Sequence, residues 1–166
     1  MSEIVFFLEE KSAKVMLEGF LPKILPTALV PRFIVFGGKQ DLEKQMVNRM
    51  RGYLVPDARF VVLRDEDSDD CQAVKPRLIE ACRKAGKTDS LVRIACHELE
   101  SWYLADLAAV ERGLEVSNLA RLQEKNPYRA PDALPCPSKH LARIAPTYRK
   151  ISGSRAIGPY LDPKNG

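Results

Sequence analysis

Residues 60–70, FVVLRDEDSDD, join a short apolar run to a dense group of acidic side chains. Residues 60–63 are apolar at every position, which is typical of a strand buried on both faces of a parallel sheet. Asp65 and Asp67 follow with one residue between them, and Asp69 comes next in the same spacing. Crowded carboxylates repel each other unless cations neutralise them, and hard cations such as Mg²⁺ prefer oxygen ligands. Because ligand sites of open α/β sheets lie at the carboxyl ends of strands, the segment predicts a metal site.

Further acids stand at the ends of two other predicted strands. Glu9 follows the apolar run IVFFL at residues 4–8, and Glu98 and Glu100 come just after LVRIAC at residues 91–96. Glu9 therefore predicts a third carboxylate at the same edge of the sheet. For Glu98 and Glu100 two interpretations stay open: accessory metal ligands, or acids that stabilise the dipole of a helix in its first turn.

The elements that must position these acids alternate regularly along the chain. Apolar runs predict strands at residues 4–8, 32–36, 60–63 and 91–96, and periodic segments between and after them predict helices, the strongest at residues 98–110. This alternation indicates an α/β protein with a parallel four-stranded sheet, right-handed crossovers and flanking helices. After residue 113 prolines accumulate and periodicity weakens. We therefore expect an α/β domain at residues 1–112 and an irregular, Pro-rich, basic extension at 113–166 packed on it, with a short helix near 138–144.

The basic side chains are unevenly distributed, although the net charge is only +4. Residues 133–161 carry lysines and arginines and no acid, which suits contact with a polyanion or, equally, a solvated basic tail. Lysines also stand near the starts of the first two predicted helices, where phosphate can bind. The predicted nucleic-acid or phosphate contacts are Lys11, Lys14, Lys39, Lys139, Arg149 and Lys150.

Several features of the sequence indicate the cellular compartment of the protein. No apolar run approaches the roughly 20 residues that a membrane helix needs, and the N-terminus is acidic where a signal peptide is basic. The cysteines Cys71, Cys82, Cys96 and Cys136 form no CxxC pair, so reduced, mostly buried thiols are expected rather than a structural zinc site. We expect a cytoplasmic protein without a membrane association.

The order of acids resembles that of the Toprim domain of topoisomerases, primases and some nucleases. That domain has a glutamate after its first strand and a DxD motif after its third, which Glu9 and residues 65–67 match. The chain more closely resembles a family of small Toprim-like proteins known as a domain of unknown function. The resemblance spans nearly the whole chain and is carried by LEEKS (8–12), GKQDL (38–42), DEDSDDC (65–71), RIACHELESWYLAD (93–106), PSKHL (137–141) and YRKISGSRAI (148–157).

The resemblance implies a chemistry. Asp65 and Asp67 would be ligands of Mg²⁺ or Mn²⁺, and Glu9 would bind metal or act as general acid or base, so these residues form the predicted catalytic set. Asp69, Glu98 and Glu100 complete the predicted metal-binding set. The implied activity is metal-dependent hydrolysis of nucleic-acid phosphodiesters, in bacterial defence or DNA repair.

The resemblance also leaves other functions open. Proteins similar to this one are often encoded beside ATPases of the ABC/OLD type and run further at the C-terminus, so we expect a shortened version. A non-catalytic accessory subunit that docks on such an ATPase is the main alternative, and phosphoryl transfer on a small phosphorylated molecule is a third. A Ca²⁺-binding EF-hand loop starting at Asp65 fails, because Asp70 and Pro76 stand where that loop needs Gly and Glu.

Overall fold

The computed structural model of the chain describes residues 2–67 and 69–165, without the side chain of Cys71. The thiol predicted for that residue therefore lies outside the described part. Cys82, Cys96 and Cys136 are free cysteines, but Cys82 is buried, Cys96 half-buried and Cys136 exposed, so the expectation of mostly buried thiols is wrong for these residues. Within the described residues, no helix combines the length and the apolar character that crossing a membrane requires.

Four strands form one sheet in the order β2-β1-β3-β4. They are β1 (Ser2–Leu8), β2 (Leu29–Val35), β3 (Arg59–Asp65) and β4 (Leu91–Ala95). The central strand β1 runs parallel to both neighbours, so that Phe6 lies opposite Phe33 on one side and Val61 on the other. The predicted α/β fold, a parallel four-stranded sheet flanked by helices, is confirmed. Continuous apolar sequence identified β1 and β3 because both faces of these strands are buried.

Helices follow each strand and fill the C-terminal part. They are α1 (Lys11–Phe20), α2 (Lys39–Arg51), α3 (Cys71–Lys84), α4 (Glu100–Leu104), α5 (Leu107–Gly113), α6 (Pro137–Ile144) and α7 (Lys150–Ile157), with short 3₁₀ turns at Leu21–Lys23, Ala120–Leu122, Pro131–Ala133 and Gly158–Tyr160. The short helix expected near 138–144 is present as α6. The second C-terminal helix, α7, was not predicted, because its glycine, two serines and arginine weaken the apolar periodicity.

The helix predicted at residues 98–110 is two helices, because the helical conformation is interrupted between Leu104 and Leu107. The Asp106 carboxylate accepts a hydrogen bond from the Ala109 amide at 3.1 Å and so caps the start of α5. Its other oxygen accepts from the Asp162 amide at 2.8 Å. Asp106 is consequently buried, with 4% of its surface exposed. Because the apolar pattern continues on both sides of the interruption, the periodicity of the sequence does not reveal it.

The chain divides into two compact units, Met1–Lys11 with Pro26–Ile94 and Ser12–Leu25 with Ala95–Gly166. In the first unit, one face of the sheet packs against α2 and α3. Phe7 stacks on Phe36 with ring centroids 5.6 Å apart. The other members of this core include Val5, Leu42, Met46, Met50, Phe60, Val62, Val74, Leu78, Cys82 and Val92.

In the second unit, α1 packs directly on the C-terminal segment. A Cβ atom at Gly158 would lie 2.4 Å from the Met16 carbonyl oxygen, and one at Gly19 would lie 2.6 Å from Pro159. Only glycine allows so close an approach of the two backbones. This grouping differs from the boundary predicted at residue 113, because α1 packs on a segment that the prediction assigned to a separate extension.

Candidate functional site

The carboxyl ends of β1, β2 and β3 meet at one edge of the first unit. Just past β1, the Glu9 amide donates to the Leu63 carbonyl at 3.4 Å, and the Glu9 carbonyl accepts from the Gly38 amide at 3.2 Å. The Glu9 carboxylate oxygen Oε2 accepts from the Asp65 amide at 3.0 Å. The structure therefore places Glu9 next to Asp65 at the carboxyl ends of β1 and β3, the edge of the sheet where the sequence analysis predicted them.

Glu9 is a buried carboxyl with only 7% of its surface exposed. Burial raises the pKa of Glu9 above the ordinary carboxyl value, and the negative charges of Asp67 and Glu10 act in the same direction. The hydrogen bond from the Asp65 amide and the charge of Arg64 oppose this rise. Glu9 thus loses its charge more readily than an exposed glutamate, and a nearby cation would favour its ionised form.

A lysine ammonium group lies between two of the acids. Lys39 Nζ is 3.3 Å from Asp67 Oδ2 and 3.3 Å from Asp69 Oδ2. Lys39 is the first residue of α2, and the preceding Gly38 has a φ of 118°, which favours glycine. The hydrogen bond to Asp69 raises the pKa of Lys39, and Asp67 adds to the effect. Lys39 thus forms ion pairs with two of the acids that the sequence predicted as metal ligands.

Arg64 is the residue that the sequence analysis missed. It lies in β3 with 1% of its side chain exposed, 2.9 Å from Glu43 Oε1 and 2.5 Å from Asp69 Oδ2. The Arg64 hydrogen bond, followed by that of Lys39, lowers the pKa of Asp69 below its usual range. An arginine that interrupts a buried apolar strand needs a carboxylate partner, and this signal was present in the sequence.

The predicted acids Glu98 and Glu100 lie in the second unit and have partners there. Glu98 Oε2 accepts from the Ser138 amide at 2.7 Å, at the start of α6. Glu100 is 1% exposed, and its Oε1 accepts from the Tyr148 hydroxyl at 2.9 Å. Burial raises the pKa of Glu100, and burial together with the Glu100 charge raises that of Tyr148. The Tyr148 contact thus gives the buried Glu100 carboxylate a hydrogen-bond partner within the second unit.

The predicted phosphate-binding cations are spread over both units. Lys11 and Lys39 belong to the first unit, whereas Lys14, Lys139, Arg149 and Lys150 belong to the second. Lys14 pairs with Glu18 at 3.5 Å, and the Arg149 guanidinium donates to the Pro146 and Tyr148 carbonyls. Lys11, Lys139 and Lys150 are exposed residues. Their role in binding a polyanion stays a prediction.

The first unit offers donors that suit a hard divalent cation. Glu9, Asp65, Asp67 and Asp69 all supply carboxylate oxygens, the ligands that Mg²⁺ prefers, and the Lys39 ammonium pairs with the last two of them. Across residues 2–67 and 69–165, no three His, Cys, Asp or Glu side chains are close enough together to hold a metal ion. The donors are of the type that suits the ion, but the described carboxylates are arranged around Lys39 and Arg64 and not around a shared metal position.

This fold and this edge of acids define an α/β protein with a carboxylate-rich site at the ends of parallel strands. The chain belongs to the family described as Domain of unknown function (DUF4276), whose model matches residues 8–165. Its fold is similar to the solved C-terminal region of the Burkholderia pseudomallei OLD protein, with a TM-score of 0.56 and 16% sequence identity over 95% of this chain and 87% of that one. No curated protein matches the chain.

Proposed function

We propose that the protein is a metal-dependent nuclease of the Toprim type, which hydrolyses phosphodiester bonds of nucleic acid. The observation that carries the proposal is the pairing of Glu9 and Asp65 across adjacent parallel strands, with the Glu9 carboxylate 3.0 Å from the Asp65 amide. Asp67 extends this edge by one more carboxylate. A glutamate after the first strand and two aspartates after the third match the Toprim order of acids. The similarity to the OLD C-terminal region supports the fold on which the proposal relies.

Each residue of the site would have a role that follows from its position. Asp65 and Asp67 would hold Mg²⁺ or Mn²⁺, and Glu9 would either join them or accept a proton from the attacking water. A bound divalent ion supplies Lewis-acid polarisation of the scissile phosphate and stabilises negative charge on the leaving oxygen. Arg64 would keep Asp69 oriented through its 2.5 Å contact without meeting the substrate, because its side chain is buried.

The test is cleavage of single- and double-stranded DNA and RNA by the purified chain with Mg²⁺ or Mn²⁺. We expect cleavage that a chelator abolishes, and a loss of about 100-fold or more in Asp65→Asn, because the variant removes a charged ligand at the metal. Asp89→Asn is the matched control: this exposed aspartate precedes β4, at the amino end of a strand, and its variant should cleave like the wild type.

Two results would contradict the proposal. Cleavage that survives in Asp65→Asn would indicate a contaminating nuclease or a different site. Absence of cleavage on every substrate would instead favour the second candidate, an accessory subunit that docks on an ATPase partner. That candidate draws on one observation, the match of nearly the whole chain to a region that is itself part of a larger protein.

A further inference from the structure

We propose that a basic surface of the second unit binds the phosphodiester backbone of single-stranded nucleic acid without sequence preference. This basic surface consists of Arg112, Lys139, Arg143, Arg149, Lys150, Arg155 and Tyr160. The inference rests on the proposed function for its substrate class, but it concerns how the strand is held, which needs no metal ion. It assigns this contact to the second unit and adds two arginines of α6 and α7 and the Arg112–Tyr160 pair to the contacts predicted from the sequence.

The helices α6 and α7 carry cations on a stretch of chain without acids. Residues 137–160 contain five lysines and arginines and neither aspartate nor glutamate. All five of these basic residues are exposed, whereas Leu141 and Ile157 on the same helices are buried. Lys139 and Arg143 stand four residues apart, so they are neighbours on one face of α6. The two helices thus pack through apolar residues and present positive charge to solvent.

Carboxylates that contact this stretch are bound by its neutral donors. Glu98 Oε2 accepts from the Ser138 amide at 2.7 Å, and Glu100 Oε1 accepts from the Tyr148 hydroxyl at 2.9 Å. A carboxylate held in this way does not pair with a neighbouring lysine or arginine. The cations of the stretch are therefore not used to compensate these acids.

The cations are accordingly left for an external anion. Within residues 2–67 and 69–165, Lys139, Arg143 and Arg155 form no ion pair with a carboxylate. Arg149 Nη1 donates to the Pro146 carbonyl at 2.9 Å and to the Tyr148 carbonyl at 2.8 Å, which orients its guanidinium. A guanidinium has five N–H donors, so donors remain for a phosphate.

An exposed aromatic ring lies at the end of α7. A Cβ atom at Gly113 would lie 2.7 Å from the Ala156 carbonyl oxygen, so the ends of α5 and α7 are in close contact. Arg112 lies over the Tyr160 ring, with its Cζ 4.7 Å from the ring centroid. Tyr160 is 40% exposed, whereas Tyr148 is 7% exposed. Cations beside an exposed aromatic ring suit a single strand, because its unpaired bases can stack on the ring.

The experiment measures binding of a fluorescent oligothymidylate to the full chain by anisotropy, in a chelator and over a range of salt concentrations. Arg143→Gln/Arg155→Gln should bind about tenfold more weakly than the wild type. The slope of log Kd against log salt should fall by about 1.4, because each phosphate contact of a single strand contributes about 0.7. Arg143→Lys/Arg155→Lys, which keeps both charges, should retain the wild-type slope.

The matched control is Lys44→Gln/Arg49→Gln, which removes two exposed cations from α2 in the first unit. This variant has the same net charge as Arg143→Gln/Arg155→Gln and should bind like the wild type. All four substituted side chains are exposed, so the Tm of each variant should stay close to that of the wild type.

Tyr160 tests the preference for a single strand. Tyr160→Ala should weaken binding of the oligothymidylate about fivefold or more, and Tyr160→Phe, which keeps the ring, should restore it. Binding of a duplex of the same length should be weaker than that of the single strand and should not change in Tyr160→Ala, because paired bases are not free to stack.

Several results would overturn the inference. An equal loss of affinity in Lys44→Gln/Arg49→Gln would show that net charge, and not this surface, attracts the strand. Unchanged binding of the single strand in Tyr160→Ala, or stronger competition by inorganic polyphosphate than by unlabelled oligothymidylate at equal charge, would show a general polyanion surface. Absence of binding would also overturn it, whereas the proposed function is decided separately by cleavage in Mg²⁺ or Mn²⁺. Binding without cleavage would leave the inference standing and contradict the proposed nuclease.

Discussion

Arg64 shows how one buried charge organises the acids around it. Its guanidinium lies inside the first unit and reaches Glu43 on α2 and Asp69 in the loop after β3. Removing one partner of a buried ion pair is costly, because the remaining charge is left without compensation. The arginine therefore joins the loop after β3 to α2.

Glu100 leads to a pH-dependent stability. Burial raises the pKa of this carboxyl from the ordinary 4.5, so the folded state holds a proton that the unfolded state releases. The contribution of the protonated Glu100 carboxyl to the free energy of unfolding is complete below the ordinary pKa and is lost as pH rises through the raised pKa. We expect the wild type to lose about 1.4 kcal/mol over this range for each unit by which the pKa is raised.

The variant Glu100→Gln should remove this loss, because its amide oxygen still accepts from Tyr148 and carries no charge. Urea unfolding of both proteins from pH 4 to pH 8, in buffer with a chelator, measures the effect. The two free energies of unfolding should be similar near pH 4 and should diverge in favour of Glu100→Gln at higher pH. Parallel curves over the whole range would show that the Glu100 carboxyl does not titrate as expected.

These residues show that the sequence predicts the positions of the acids but not their partners. Strand-end acids could be located, because a strand of continuous apolar sequence has a definite end and parallel strands share an edge. The partners of those acids could not, because the Lys39–Asp67, Arg64–Glu43 and Glu100–Tyr148 contacts join segments whose packing is set by the tertiary fold. Arg64 alone gave a local signal, as a charge inside an apolar strand.

At the scale of elements, the strands and the first three helices were predictable and the region after β4 was less so. Periodicity identifies a helix by its apolar face, but it does not detect a break when that face continues on the other side. The break before α5 depends on Asp106, whose carboxylate is bound by an amide from a distant segment as well as by the helix itself. The position of such a break is decided by packing.

The contact between α1 and the C-terminal turn gives a prediction at this scale. Gly158→Ala should destabilise the protein by about 2 kcal/mol or more, because its Cβ would lie 2.4 Å from the backbone oxygen of Met16, which cannot move alone. Gly52→Ala is the matched control: its φ is −74° and its Cβ would meet the Asn48 carbonyl at 3.4 Å. That variant should be neutral or slightly stabilising. Chemical denaturation of both variants measures the difference, and equal stabilities would contradict the close packing.

For the whole molecule, the two compact units are interleaved along the chain. The segment Ser12–Leu25, which includes α1, groups with Ala95–Gly166 and separates two parts of the first unit. Sequence composition placed a boundary near residue 113, where prolines begin to accumulate. Composition reports the local character of a segment and carries no information on which distant segment packs against it. The division therefore required the structure.

This arrangement predicts the behaviour of a fragment. Residues 1–112 should not fold cooperatively, because α1 would lose Gly158 and Pro159, and Glu98 and Glu100 would lose Ser138 and Tyr148. We expect poor dispersion in an amide NMR spectrum, a broad thermal transition and binding of an apolar dye, all compared with the full chain. A fragment with a dispersed spectrum and a sharp transition would show instead that residues 1–112 are an independent domain.

The packing of α1 also has a consequence for biosynthesis. Lys23, just after this helix, bonds to Leu161 across a separation of 138 residues. A nascent chain on the ribosome therefore exposes the apolar face of α1, with Val15, Met16 and Leu17, until most of the sequence has been translated. During that interval chaperones that recognise short apolar helices would compete with misassembly, and slow codons late in the message would prolong the exposure.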